Sequence, residues 1–176
     1  MMEMSYLEIL DTAIKIGLGA LISGFTTWKV TKLQHKNEDE KERNRRRIDN
    51  LEKVAAQTQL FCHDAMIYWS RIIDYTRRQE TSQAFSESQL RDLKEARTKL
   101  YSSYENLTSA ESKLFLLGLK DAQERLRILG DAVSQFYAEV YIGEHGKSLD
   151  VVKRWRDDIL ANRELFFNNL HKAYTK

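Results

Sequence analysis

The chain has 176 residues and a mass of 20.7 kDa, with 28 Lys and Arg against 26 Asp and Glu and a pI of about 8.6. It contains no proline and only 7 glycines. Those residues punctuate turns and strand ends, so an architecture of many short strands is excluded and long helices with few breaks are expected. One cysteine, Cys62, excludes an internal disulfide framework and a cysteine-rich zinc site.

The net charge of +2 is unevenly distributed. Residues 1–28 carry Glu3, Glu8 and Asp11 against Lys15. Residues 29–47 carry Lys29, Lys32, Lys36, Lys41, Arg43, Arg45, Arg46 and Arg47 against Glu38, Asp39, Glu40 and Glu42. The remainder, 48–176, balances. The excess basicity therefore flanks an apolar segment instead of spreading over the globular part, where a nucleic-acid-binding domain would concentrate it. No nucleic-acid partner is expected.

The apolar segment reads as a transmembrane helix within 1–33. Its uncharged stretch, Ile16–Trp28, is only 13 residues long. The span reading lengthens it to Asp11–Lys32, roughly 30 Å at 1.5 Å per residue, by letting Lys15 snorkel to the headgroups. Trp28 and Tyr6 then fall at the two interfaces. Acids precede and bases follow, the reverse of a cleaved signal peptide. The positive-inside rule puts the N-terminus outside and the rest in the cytoplasm, giving a single-pass protein of the cell (inner) membrane. A buried core helix and an in-plane interfacial helix are the alternatives. Ala13, Gly17, Ala20, Gly24 and Thr27 share a stripe of small residues, the kind that lets helices approach closely in lipid, so a homo-oligomer through the span is expected.

Residues 34–47 contain no bulky apolar side chain and read as a charged helical stalk, supported by Asp39/Arg43 and Glu42/Arg46 at i,i+4 spacing. Lys29, Lys32, Lys36, Arg43, Arg45, Arg46 and Arg47 form the juxtamembrane basic group, suited to anionic lipid or an acidic partner.

From 48 to 176 the apolar residues repeat with helical, coiled-coil-like spacing. Ile48, Leu51, Ala55, Thr58, Cys62, Ala65, Trp69 and Ile72 define the first core stripe, with Phe61, Met66 and Ile73 alongside. Ser86 with Gln89 forms a capping box opening a second helix. Ser109 is placed to cap a third, with a kink or break at Gly118. A loop at Gly143–Gly146 precedes a last helix starting at Ser148. About four such helices make an antiparallel bundle, so the fold class is all-α: one N-terminal transmembrane helix, a stalk and a bundle.

No reaction emerges. Gly146-Lys147-Ser148 lacks the spacing and preceding strand of a phosphate-binding loop. The four histidines form no HExxH arrangement. Cys62 and His63 are neighbours that point to different sides of a helix. No catalytic residue, metal or cofactor is expected. The function expected is a membrane-tethered, non-catalytic interaction module, a regulator, scaffold or immunity component whose bundle binds an unknown protein partner. The alternative is a pore-forming or membrane-disrupting effector triggered through the bundle.

Overall fold

The structure, a computed structural model, describes residues 6–140 and 147–175; side-chain surroundings are described from residue 25 onward, except at 26, 33, 36 and 37. Four helices account for nearly all of it: α1 (Tyr6–Glu80), α2 (Glu87–Leu116), α3 (Lys120–Glu139) and α4 (Leu149–Tyr174). There is no strand among the described residues. The chain divides into two units, Met1–Arg46 and Arg47–Lys176.

Among the described residues no helix is long and apolar enough to cross a membrane. This corrects the expected transmembrane helix in 1–33, and with it the single-pass inner-membrane placement with an outside N-terminus and a cytoplasmic bundle. The physical reason is length and charge. The 13 uncharged residues Ile16–Trp28 rise about 20 Å, against a hydrocarbon layer of about 30 Å. Closing that gap draws Asp11, Lys15, Lys29 and Lys32 toward the apolar layer, and each charge buried there costs about 2.5–3.5 kcal/mol at the centre.

In the first unit the described side chains, from Phe25 to Arg46, are all exposed. Phe25 and Trp28 lean on each other with ring centroids 5.9 Å apart, and Lys32 lies over the Trp28 ring at 5.2 Å. Arg46 donates to Glu42 at 2.7 Å, one of the i,i+4 pairs expected from the spacing.

The second unit is the helical bundle. On α1 the buried stripe is Leu51, Val54, Thr58, Phe61, Ala65, Tyr68 and Ile72, at alternating spacings of 3 and 4. Of the stripe expected, Leu51, Thr58, Cys62, Ala65 and Ile72 are buried; Ala55 and Trp69 sit at its edge instead, and Val54, Phe61 and Tyr68 fill the centre. Leu93, Leu100 and Leu114 of α2, Leu126, Leu129 and Phe136 of α3, and Ile159 and Phe166 of α4 complete the core. Phe61 meets Tyr104 edge-on at 5.0 Å, and Tyr68 meets Phe136 at 5.7 Å. The α3 backbone runs close to α2 because Gly130 has no side chain: a Cβ there would lie 2.6 Å from Leu107 Cδ2.

The helix ends follow local chemistry. Ser86 and Gln89 form the reciprocal capping box at the start of α2. Ser109 caps nothing; α2 runs straight through it, which corrects the expected third-helix start. Other hydroxyls along α2 bond back to the preceding turn and so cap nothing either, Ser103 to Leu100 O, Thr108 to Tyr104 O and Ser112 to Thr108 O. The break falls at Gly118, whose φ of 69° is the left-handed conformation that glycine adopts freely. There Gly118 N–H donates to Phe115 O and Leu119 N–H to Leu114 O, both at 3.0 Å, a Schellman closure of α2. Ser148 is the N-cap residue of α4, as expected. The Gly143–Gly146 loop lies outside the described residues.

Candidate interaction surface

The residues singled out by sequence fall into different settings. Ala13, Gly17, Ala20 and Gly24 lie outside the described side chains, as does Lys36; Thr27 is exposed. Lys29, Lys32, Arg43, Arg45 and Arg46 are exposed on the first unit. Arg47 departs from that group. It is half-buried in the bundle and donates through Nη2 to the Ala173 carbonyl, in the last turn of α4, at 2.7 Å. A cation at a helix C-terminus satisfies an orphan carbonyl and the negative end of the helix dipole together. Its role is therefore structural at one end, with the rest of its guanidinium left over.

Several polar side chains join one helix to another. Gln57 donates to Ser109 Oγ at 3.0 Å, and Lys113 reaches the same hydroxyl at 2.6 Å and Gln57 Oε1 at 3.0 Å, tying α1 to α2. Trp69 donates to Val152 O at 2.7 Å, and Arg163 to Gln59 Oε1 at 2.8 Å, tying α1 to α4. Cys62 is a core thiol whose pKa burial pushes up to about 11, against a smaller opposing pull from the Arg163 guanidinium. A thiol so protonated is a poor nucleophile. Burial likewise raises the Tyr104 hydroxyl, with its 2.8 Å bond to Ser134 working the other way. Thr58 Oγ1 is buried with no hydrogen-bond partner among the described residues. Among the described residues no group of three or more His, Cys, Asp or Glu side chains is placed to hold a metal ion.

Two surface features remain, both near the turn from α2 to α3. The first is apolar. Phe115 and Leu116, the last residues of α2, are 69% and 83% exposed. With Thr108, Glu111, Ser112 and Gln123 they line an open groove of about 360 Å³. Farther back on α2, Tyr101 is 76% exposed, and Tyr101, Thr108 and Phe115 follow one another at seven-residue intervals along one outer stripe. The second feature is a cleft in which Arg47, Lys120 and Lys172 come together. Nothing in the sequence separates Phe115 and Leu116 from their neighbours. The run Leu114–Leu117 is apolar throughout, so its periodicity gives no inside or outside.

No protein-family model matches the chain, and no curated protein or solved structure is significantly similar to it. Function therefore rests on these surfaces alone.

Proposed function

We propose that the chain is a non-catalytic protein-interaction module whose helical bundle holds a protein partner on the Phe115–Leu116 face of α2. The observation that carries this is the pair of adjacent bulky apolar side chains left almost wholly in water at a helix end. Single exposed apolar residues are ordinary; a contiguous pair beside a groove, rimmed by Glu111 and Gln123, has the anatomy of an interface core inside a polar rim. Burying the two side chains against a partner stabilises the complex by about 1.5–3 kcal/mol each, enough to make them anchors. The bonds of Gln57, Lys113 and Trp69 support the same reading, because they tie one helix to another.

A photo-crosslinking amino acid placed at Leu116 of the full-length chain, in its own cells, tests this. The expected result is an adduct of one defined mass, lost when Phe115→Ser is added and absent when the crosslinker stands at Lys53 on the outer face of α1. Equal adducts from both positions, or none from Leu116, overturn the proposal. Phe115→Ser should leave thermal unfolding unchanged, so loss of the adduct reports the surface and not the fold.

A further inference from the structure

At one end of the bundle α1, α3 and α4 surround a cleft of about 250 Å³. Three cationic side chains from three different helices line it, Arg47, Lys120 and Lys172, against the single carboxylate of Asp121. None of the three has an ion-pair partner among the described residues, whereas Arg71, Lys99 and Lys153 elsewhere on the bundle each sit within 4.0 Å of an acid. Arg47 is the anchored member: its bond to the Ala173 carbonyl holds the guanidinium at the wall and leaves its other donors available. Asn169 also lines the cleft; its Nδ2 donates one hydrogen to Leu165 O at 3.0 Å and has a second to offer. Gly118 has no atom within 4 Å of where a Cβ would stand, and α3 begins just beyond it without a side-chain cap.

We propose that this cleft binds a phosphate monoester, with Arg47, Lys120 and Lys172, less the one charge of Asp121, matching its two negative charges, and Asn169 and the first turn of α3 donating to its oxygens. The argument stands on three cations lining one cleft. A forked guanidinium beside point-charge ammoniums is the donor set that a dianionic, three-oxygen group takes up best. The opening helix turn adds to that field in the same sense. The space holds the phosphate and a small attached group; anything larger extends into solvent. This inference is independent of the apolar face on α2, since it uses none of its residues.

The test uses the full-length chain at fixed ionic strength. Calorimetric titration with inorganic phosphate and with glycerol 3-phosphate should show saturable binding that chloride does not reproduce. Lys120→Gln and Lys172→Gln, both on exposed side chains, should each weaken it about tenfold, the scale of one charge-assisted hydrogen bond. Asp121→Asn should tighten it by about threefold, because it removes the one opposing charge. Co-sedimentation with vesicles containing phosphatidic acid, compared with phosphatidylglycerol at equal surface charge, tells whether the monoester is free or a lipid headgroup; a lysine-dependent response in either arm supports the site. Binding that both glutamine variants leave within about twofold of the parent, or no preference for the monoester in either arm, overturns it.

Discussion

Residues 38–46 and residues 51–76 are consecutive parts of α1, yet they are helical for different reasons. In the first stretch every side chain is exposed, and the support is local: Arg46 on Glu42, one turn apart, worth a few tenths of a kcal/mol. In the second, one stripe is buried from Leu51 to Thr76, and the support comes from three other helices. Burying a single Phe or Leu there contributes about 1.5–3 kcal/mol, several times any surface pair. Helix content is thus a poor guide to where stability resides. One residue, Arg47, marks the change, as the first whose side chain reaches another element of the bundle.

The largest test of that contrast pairs a core and a surface truncation. Phe61→Ala should cost about 3–5 kcal/mol in denaturant unfolding of the full chain, while Glu42→Ala should cost less than about 0.5 kcal/mol. If the two costs come within 1 kcal/mol of each other, on the order of the spread between ordinary mutants, the contrast fails.

The next effect comes from Cys62. Its folded thiol keeps a proton that the unfolded chain releases near pH 9, and gives it up only near pH 11. The burial contribution is therefore complete below pH 9 and lost as pH rises toward 11, at about 1.4 kcal/mol per unit. Unfolding measured across that window should slope downward in the parent and less steeply in Cys62→Ala; the raised Tyr104 hydroxyl leaves some slope in both.

Smaller changes sharpen the comparison within the bundle. Gly118→Ala should cost about 1–2 kcal/mol through its left-handed backbone alone, since no atom crowds the site. Thr58→Val should do the opposite and raise stability by about 1 kcal/mol, because it removes a buried hydroxyl that has found no partner. A loss of stability in Thr58→Val would reveal a hidden bond.

Legibility in the sequence tracked how local each determinant is. The Ser86/Gln89 box, the Gly118 break and the Ser148 start are each decided within a few residues, and all were readable. Ser109 differs for a non-local reason: a serine ahead of apolar residues looks like a cap, but here Gln57, fifty-two positions earlier, engages its hydroxyl. On α1, Ala55 and Val54 fit the spacing equally well, as do Trp69 and Tyr68; only the facing helices choose between them. The span was misjudged because small and apolar residues in 16–28 are equally at home in a helix too short to cross a bilayer. The Arg47, Lys120 and Lys172 cleft was invisible, since nothing local links three cations spread over the whole bundle.

The bond from Arg47 to Ala173 also bears on the order of folding. It closes 126 residues of chain, where the bonds from Trp69 to Val152 and from Arg163 to Gln59 close 83 and 104. The α2–α3 and α3–α4 contacts, by contrast, join helices adjacent in sequence. Loop-closure entropy must be met before a distant contact rewards it, so the neighbouring hairpins are favoured as the nucleus and α1 docks afterwards. Conservative truncations at the α3–α4 contact should then slow refolding, while Arg47→Met should leave the refolding rate nearly unchanged and speed unfolding instead. A tie of that kind acts on the lifetime of the native state: it is a latch set after the transition state, and it governs how long the bundle stays closed.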